Sequence, residues 1–489
     1  MCIIATLILS VTGCEDTSVP GSGPETPEDP DIEVDYEFQR WALTPPMGWN
    51  SYDCYGSNVT EEQVRVNAKY LADNLKRYGW EYVVIDARWF VTNQLTGNYN
   101  TTNPDYVLDK WGRHFPAENR FPSSAWEAGF RPLANYIHGL GLKFGIHIMR
   151  GIPVEAVNRK LPVKGADGIT ADMIYSTSQQ CQWLADNYTI VADKPGAQEY
   201  YDSIFELYAF WGVDYVKVDD ISRPYHSEEI EMIRKAIDKT GRNMVLSLSP
   251  GATSIVNADH AKEHANLWRL TDDVWDRWGD MVLLLDTAGH WAPHIGPGHW
   301  PDADMIPFGW LNINNHMAGP RFCRFNRDAH YTFMSLLIIM RSPLMFGGNL
   351  PNNGVFTSSF LTNEEALYIT KKSTNNRELY NNHDVVAWAA DDMASDDKFL
   401  ALFFCGNARP GYAQLGGGNR TDFTQEIDDS GQDNEKRAVS VDLTGLGFTG
   451  KVKVRDIWHK QNIGEFSGEE FAPEITLYGA GLYRLSPAE

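Results

Sequence analysis

Short apolar runs alternate with longer amphipathic stretches from about residue 40 to about residue 372 of the chain. This alternation is typical of parallel β-strands, each followed by a helix that covers the sheet. Eight candidate strands can be identified, the number that closes a (β/α)8 TIM barrel, which we predict for residues 39–375. The candidate strands are Met47 to Ser51, Tyr82 to Asp86, Lys143 to Ile148, Asp214 to Val218, Met244 to Ser249, Leu267 to Leu270, Trp300 to Met305 and Pro343 to Phe346.

The sequence changes character from about residue 382, where polar and apolar residues alternate in short runs separated by turn residues. Such alternation is typical of antiparallel strands with one buried face. We therefore expect residues 376–489 to form a C-terminal antiparallel all-β domain, a β-sandwich, with a long loop over residues 406–436. The predicted fold class is α/β, a barrel followed by this β domain.

The first 38 residues are expected to lie outside both domains. Residues 1–14 resemble a bacterial lipoprotein signal peptide, in which Cys14 ends a lipobox and becomes the lipidated residue; an ordinary buried strand is the alternative. Residues 15–38 are acidic and rich in Pro and Gly, which predicts a flexible tether. We expect a lipid-anchored protein of the bacterial cell envelope, facing the periplasm or the cell surface, because no later apolar run is long enough to span a bilayer.

Charge and cysteine content restrict the ligands. The chain carries 65 acidic and 42 basic residues, and its net charge of -23 disfavours nucleic acid and anionic lipid surfaces. A neutral or cationic ligand is therefore expected. Cys54, Cys181, Cys323 and Cys405 are widely spaced and form no Cys-X-X-Cys pair, so neither a zinc site nor a disulfide framework is indicated.

Two carboxylates at strand ends carry the main chemical prediction. The fourth strand ends near Asp219 and the sixth is followed by Asp273, and in such a barrel the carboxyl ends of the strands form the active face. One strand separates them, so their backbones are expected about 9 to 10 Å apart at a strand spacing of roughly 4.8 Å. Paired carboxylates at this spacing suit glycosidic bond cleavage. A gap between the carboxyl groups of about 5 to 5.5 Å is typical of retaining enzymes and one of about 6.5 to 9.5 Å of inverting ones. Carboxylates that point inward approach each other more closely than their backbones do, which favours retention.

The neighbours of these carboxylates refine the prediction. Lys217 precedes Asp219 by two residues and therefore points to the same face of the strand, where its charge is expected to keep Asp219 ionised. Proximity to that anion is expected to keep Asp273 protonated, as a general acid requires. If the strand register differs by one residue from the one assumed here, Asp220 and Asp272 are the catalytic pair instead of Asp219 and Asp273.

Polar and aromatic side chains at the ends of the other strands are also expected on the active face. For any single strand-end Asp, a helix cap or a loop salt bridge is the alternative to catalysis. His147 is interpreted either as a ligand contact or as a half-buried structural histidine. Trp49, Trp89 and Trp300 are candidates for a sugar-stacking platform, with core packing as the alternative.

Several motifs occur in the order found in one enzyme family. They are Thr44-Pro45-Pro46-Met47-Gly48-Trp49-Asn50-Ser51-Tyr52, the strand from Tyr82 to Asp86, Lys217-Val218-Asp219, Trp268-Arg269 with Asp273, Gly296-Pro297-Gly298-His299-Trp300-Pro301-Asp302-Ala303-Asp304-Met305 and Ser342-Pro343-Leu344. With these motifs the chain resembles glycoside hydrolase family 27, which contains the retaining α-galactosidases. The resemblance implies Asp219 as nucleophile, Asp273 as acid/base, and neither metal nor cofactor. The candidate substrate-binding residues are Asp86, Lys217, Arg269, Tyr52, Trp49, His147, Trp300 and Asp304.

Departures from the family pattern bear on the substrate. Typical members carry two successive Asp after the second strand, which hold the C4 and C6 side of galactose, where this chain has Asp86 and Ala87. Tyr52 stands where they carry Trp, and Ser249-Pro250-Gly251 where they carry Cys-Glu-Trp. The chain is more similar to the branch that includes plant β-L-arabinopyranosidase/α-galactosidases. The two sugars differ only by the C6 hydroxymethyl group, so the resemblance implies activity on either.

The predicted function is that of an exo-acting retaining glycosidase with a carbohydrate substrate. A surface glycan-binding protein that kept the barrel but lost hydrolysis is the alternative from another class. A metal-dependent barrel enzyme is a third possibility, because Asp86, Asp302 and Asp304 are acidic strand-end residues.

Overall fold

A computed structural model describes residues 32–314, 319–406, 423–427, 435–468 and 470–488. The predicted signal peptide with Cys14, most of the predicted tether and most of the predicted loop over residues 406–436 lie outside the described residues. Those expectations therefore remain predictions.

Eight parallel strands form one sheet. They are β1 Met47–Asn50, β2 Tyr82–Ile85, β3 Lys143–Met149, β4 Tyr215–Asp219, β5 Val245–Leu248, β6 Leu267–Arg269, β7 Trp300–Asp302 and β8 Leu344–Phe346. Each predicted strand is present, with its ends shifted by at most a few residues. The order in the sheet is β7-β6-β5-β4-β3-β2-β1-β8, which confirms the predicted barrel architecture.

The sheet curves round until its two ends approach. β8 pairs with β1, and the chain after β7 forms a parallel bridge to β8 between Ile306 and Phe346. Ile306 donates its N–H to the carbonyl of Met345 at 2.7 Å. β7 is shorter than predicted because Asp304 adopts φ 79°, a left-handed conformation that interrupts an extended strand.

Helices follow most of the strands and share one large hydrophobic core with them. The helix Glu61–Tyr70 begins with a capping box: the Thr60 hydroxyl accepts the N–H of Gln63 at 3.4 Å, and the Gln63 side chain accepts the N–H of Thr60 at 2.9 Å. Among the described residues, the α-helices of seven or more residues are α1 Glu61–Tyr70, α2 Arg131–Gly139, α3 Ala197–Trp211, α4 Ser227–Thr240, α5 Ala258–His264, α6 Trp278–Trp291, α7 Arg327–Ile339, α8 Val355–Leu361 and α9 Glu364–Lys372, and two shorter ones span Tyr52–Tyr55 and Val154–Asn158.

A long insertion separates β3 from α3. It folds into a small antiparallel sheet of three short strands, Ile152–Pro153, Asn187–Ile190 and Tyr175–Ser176. Because the insertion starts at the carboxyl end of β3, it lies on the face of the barrel where active sites form.

The described part of the C-terminal region forms a six-stranded antiparallel sheet and two small two-stranded sheets, which confirms the predicted all-β character. Alternate residues of the large sheet face opposite ways: Trp388 and Phe403 pack into the barrel core, whereas Ala387 and Leu402 pack into a second core. The strands are β9 Ser373–Asn381, β10 Val385–Asp392, β11 Lys398–Phe404, β12 Val452–Asp456, β13 Gln461–Phe466 and β14 Ala480–Pro487, with the pairs Lys436–Ala438 with Glu474–Thr476 and Val441–Asp442 with Glu470–Phe471.

The described residues include four cysteines, all of them buried free thiols: Cys54, Cys181, Cys323 and Cys405. Within the part of the chain that the structure describes, no helix combines the length and the apolar character needed to cross a bilayer.

Candidate active site

A cavity of about 710 Å³ opens at the carboxyl ends of the barrel strands. Both predicted catalytic carboxylates, Asp219 at the end of β4 and Asp273 after β6, line it. Tyr52, Asp86 and Lys217 line it as well. Only β5 separates β4 from β6 in the sheet, as the spacing argument requires. The structure therefore brings these five sequence-predicted residues to one cavity.

Asp219 is held from two sides in the floor of the cavity, where it is 4% exposed. Its Oδ2 lies 2.8 Å from Nε2 of His147, and its Oδ1 accepts the N–H of Asp220 at 2.5 Å. Burial raises the pKa of Asp219 above its ordinary value, while the hydrogen bond and charge of His147 and the charge of Lys217 oppose that rise. His147, one of the predicted substrate contacts, is thus the direct partner of Asp219.

Lys217 has a different direct partner from the one that the sequence suggested. Its Nζ donates to Oδ2 of Asp86 at 2.9 Å, and the side chain of Asn50 donates to the same oxygen at 2.8 Å. Burial favours a raised pKa for Asp86, but the nearby Lys217 and His147 and these hydrogen bonds outweigh it and hold that pKa well below the usual range. Lys217 therefore pairs with Asp86 and acts on Asp219 only through space.

Arg269 connects the loop after β6 to the loop after β7. One of its terminal nitrogens, Nη2, lies 2.7 Å from Oδ2 of Asp304 and 3.5 Å from Oδ1 of Asp273. Arg269 and Asp304 are buried, whereas the side chain of Asp273 is 49% exposed. Asp304 also accepts the N–H of Val274 at 2.7 Å, and burial raises its pKa. Arg269 and Asp304 are not among the residues that line the cavity; they lie buried behind them and hold the loop that carries Asp273.

The carboxylates one residue away in register are each paired with an arginine. Asp220 Oδ2 lies 2.9 Å from Nη2 of Arg150, and burial raises the pKa of Asp220 to about 6. Asp272 Oδ1 lies 2.7 Å from Nη2 of Arg223 at the surface. Both residues line the cavity, but each carboxylate is already paired with an arginine.

The tryptophans proposed as a sugar platform do not reach the cavity. Trp49, Trp89 and Trp300 are fully buried, and each indole N–H donates to a backbone carbonyl at 2.7–2.9 Å. A ring needs an exposed face to stack on a sugar, so the platform hypothesis is wrong for these residues. They are core residues beneath the active face.

The sequence interpretation missed three other aromatic residues that line the cavity. Tyr99, Trp183 and Trp275 join Tyr52 there. The ring of Tyr52 lies 6.3 Å from Tyr99 and 6.4 Å from Trp275, and Tyr99 lies 5.6 Å from Trp183, between centroids. These residues come from loops without hydrophobic periodicity. The available signal was the length of the loops after β2 and β3 on the active face.

The acidic residues considered for a metal site have other partners. Asp86 binds Lys217, Asp304 binds Arg269, and Asp302 accepts the N–H of Asp304 at 2.9 Å. Among the described residues, no group of three or more His, Cys, Asp or Glu side chains is arranged to hold a metal ion.

Comparisons with known proteins identify the family of the chain. The family model Melibiase_2, described as alpha galactosidase A, matches residues 164–372. A solved β-L-arabinopyranosidase of glycoside hydrolase family 27 from Geobacillus stearothermophilus, in complex with arabinose, is 43% identical with a TM-score of 0.85, covering 93% of this chain and 100% of that chain.

Two further proteins show how far the similarity extends. A putative α-N-acetylgalactosaminidase from Bacillus halodurans is 42% identical with a TM-score of 0.77, covering 91% of this chain and 98% of that chain. An α-galactosidase from Oryza sativa subsp. japonica is 26% identical over 452 residues, 91% of this chain and 85% of that protein. The similarity covers the barrel and the C-terminal β region together, and it does not favour the binding-only alternative. The chain is therefore a glycoside hydrolase and belongs to family 27, in the branch of the β-L-arabinopyranosidases and α-galactosidases.

Proposed function

We propose that this enzyme is a retaining exo-glycosidase that removes terminal β-L-arabinopyranosyl or α-D-galactopyranosyl units from glycans. The observation that carries the proposal is the pair Asp219 and Asp273, which line one cavity from strand ends separated by a single strand. Asp219 lies in the floor and Asp273 is half exposed. This arrangement suits a nucleophile beneath the sugar and an acid beside the leaving group.

The reaction proceeds in two displacements. Asp219 attacks the anomeric carbon and forms an ester bond as the glycosidic C–O bond breaks, and Asp273 gives its proton to the departing oxygen. Asp273 then takes a proton from a water molecule. That water attacks the anomeric carbon, the ester bond breaks, and Asp219 is released as a carboxylate.

The polar floor of the cavity supports sugar binding. Asp86 and Lys217 form a buried ion pair that lines the cavity, so an acceptor and a donor for sugar hydroxyl groups lie side by side. The low pKa of Asp86 keeps it ionised and able to accept hydrogen bonds. Lys217 and Arg269 also place positive charge near Asp219. This charge stabilises the carboxylate of Asp219 that forms again when the ester bond breaks.

The residue after Asp86 supports a preference for arabinopyranosides. Ala87 is fully buried and has no side-chain group to bind a 6-hydroxyl, and β-L-arabinopyranose lacks that group. The neighbour that is 43% identical is a β-L-arabinopyranosidase. We therefore propose that β-L-arabinopyranosides are better substrates than α-D-galactosides.

The test uses aryl β-L-arabinopyranosides and aryl α-D-galactosides, with the anomer of the first-formed sugar identified by NMR. We expect retained configuration and a higher kcat/KM for the arabinopyranoside. Asp219→Ala is expected to abolish turnover, whereas Asp272→Asn, which changes an exposed carboxylate next to Asp273, is expected to retain it. An inverted product would overturn the double displacement, and wild-type turnover by Asp219→Ala would overturn the assignment of the nucleophile.

We also propose that Cys14 carries a lipid that anchors the enzyme to the bacterial cell envelope. The support is the apolar run and lipobox of residues 1–14, followed by the acidic, Pro-rich segment. Cys14→Ala is expected to release the full-length enzyme from the membrane fraction. Membrane association that persists in Cys14→Ala would contradict the anchor.

A further inference from the structure

We infer that the cavity contains a second sugar-binding position at its mouth, built on Trp183 with Gln179 and Gln182. It takes the uncharged glycosyl unit from which the terminal sugar is cleaved. This inference rests on the proposed function and extends it to the leaving-group side of the substrate.

The size and extent of the cavity provide the first observation. Its volume of about 710 Å³ lies well inside the range of about 300 to 1,000 Å³ that holds drug-sized ligands. Asp86, Lys217 and Asp219 line its floor, and Gln179, Gln182 and Trp183 line the same cavity from the insertion after β3. A terminal sugar held by the floor residues leaves this outer part of the cavity free for another group.

Trp183 presents an aromatic face to that outer part. The residue is 43% exposed, an uncommon state for so large a side chain, and the centroid of its ring lies 5.6 Å from that of Tyr99. Its neighbours Cys181 and Leu184 are buried and form a small hydrophobic cluster with Met149. The buried neighbours fix the backbone, so Trp183 is held outward. Such a face can stack on the apolar face of a sugar ring.

The segment around Trp183 is anchored at both ends. Arg150 donates from Nη2 to the carbonyl of Gln179, and Asp186 forms a buried ion pair with Arg88 at 2.8 Å. An anchored binding segment loses little conformational freedom when a ligand binds. The exposed amide side chains of Gln179 and Gln182 both donate and accept hydrogen bonds, which matches the hydroxyl groups of a sugar.

The position of Asp273 indicates which part of the substrate reaches Trp183. Asp273 must give its proton to the oxygen that joins the terminal sugar to the rest of the glycan. Because Asp219 holds the terminal sugar in the floor and Asp273 is half exposed, the rest of the glycan extends outward from that oxygen. The outer part of the cavity, with Trp183 in its wall, is the space available to it.

The charges at the mouth favour a neutral ligand. Arg223 is paired with Asp272 at 2.7 Å, and Arg277 with Asp280 at 2.7 Å. These arginines are therefore already neutralised by carboxylates. The other groups named at the mouth are the aromatic ring of Trp183 and the amides of Gln179 and Gln182. Such groups bind an uncharged sugar better than an acidic one.

The test compares two substrates that share the terminal sugar. One is the glycosyl fluoride, whose leaving group is too small to reach Trp183, and the other is a disaccharide with a neutral second sugar. In Trp183→Ala we expect kcat/KM for the disaccharide to fall about tenfold, the effect of losing one aromatic contact, and kcat/KM for the fluoride to stay within about twofold. Trp183→Phe keeps a ring and is expected to lose less.

Trp126→Ala is the matched control, because Trp126 is 96% exposed and does not line the cavity. It is expected to leave both substrates unchanged, and thermal unfolding of each variant verifies that it is folded. Equal losses on both substrates in Trp183→Ala, or no loss on the disaccharide, would overturn the second sugar-binding position. A wild-type enzyme that hydrolyses no glycosyl fluoride would overturn the proposed function, and this inference with it.

Discussion

The Nε2 atom of His147 lies 2.8 Å from the Oδ2 atom of Asp219, and both side chains are buried at the carboxyl end of the barrel. His147 is aligned with Lys217 across the neighbouring strands β3 and β4, so its ring and Asp219 share one face of the sheet. A hydrogen bond to a carboxylate from a buried donor contributes about 1.5 to 3 kcal/mol. We interpret His147 as the residue that orients Asp219 for attack.

The first prediction concerns this orientation. His147→Phe is expected to lower kcat by about 10- to 100-fold and to change KM little, because it removes the hydrogen bond to Asp219 but leaves the pair Asp86 and Lys217 in the floor. His147→Gln keeps an N–H donor and is expected to lose less. Steady-state kinetics on an aryl glycoside measure both. A change confined to KM would contradict an orienting role.

The second prediction concerns the pH dependence of activity. Burial raises the pKa of Asp219, and a nucleophile must be ionised, so kcat/KM is expected to rise with pH through a limb that lies above the ordinary Asp pKa of about 3.9. His147 opposes the rise in pKa. In His147→Phe that opposition is lost, and the acid limb is expected to move to higher pH. A limb at the same pH in both enzymes would show that His147 does not act through Asp219.

The strands and the pair of carboxylates could be predicted because they follow local patterns. The apolar residues of β4 fix which of its side chains face the barrel axis, and Lys217 and Asp219 follow from that alternation. Which neighbour each one contacts depends on the relative register of β2, β3 and β4. The pairs formed by Lys217 with Asp86 and by Asp219 with His147 therefore appear only in the structure.

The aromatic lining could not be predicted from local patterns. Trp49 and Trp300 lie in strand motifs, yet depth along the barrel decides whether such a ring reaches the cavity, and both are buried. Tyr99 and Trp183 lie in loops, where no periodicity links a residue to a face. Two strands of the C-terminal sheet, β9 and β13, carry no clear apolar alternation that would predict them, since their residues are largely polar and partly exposed.

The third prediction concerns the stability of the segment that carries Trp183. Arg88 binds Asp186 through two hydrogen bonds, at 2.8 and 2.9 Å, and Tyr106 donates a third to the same carboxylate at 2.5 Å. Arg88→Ala leaves Asp186 buried without its positive partner. The free energy of unfolding in urea is expected to fall by about 3 to 5 kcal/mol.

Arg223→Ala is the control for that measurement, because the pair of Arg223 with Asp272 is about 60% exposed on both sides. An exposed ion pair contributes at most about 1 kcal/mol. Similar losses in Arg88→Ala and Arg223→Ala would contradict the difference that burial predicts.

The fourth prediction concerns Asp53, whose two carboxylate oxygens have no hydrogen-bond partner among the described residues. The side chain is buried so tightly that a Cβ atom on Gly347 would lie 1.9 Å from its Oδ2. Burial, reinforced by the charge of Asp304, raises the pKa of Asp53 well above its usual value. The folded pKa thus exceeds the unfolded value of about 3.9, so folding favours the protonated form.

The sign of the effect on stability follows from that difference. As pH rises above about 4, the unfolded chain ionises Asp53 while the folded chain resists, so this residue lowers the free energy of unfolding until the folded pKa is passed. Asp53→Asn removes the ionisation. Its free energy of unfolding is expected to fall less than that of the wild type between about pH 4 and pH 8, measured by urea unfolding at each pH. Asp396→Asn, at an exposed position, is expected to leave the slope of the wild type unchanged. If the pH dependence of Asp53→Asn runs parallel to that of the wild type, Asp53 is ionised as readily in the folded protein as in the unfolded chain, and its burial carries no electrostatic cost.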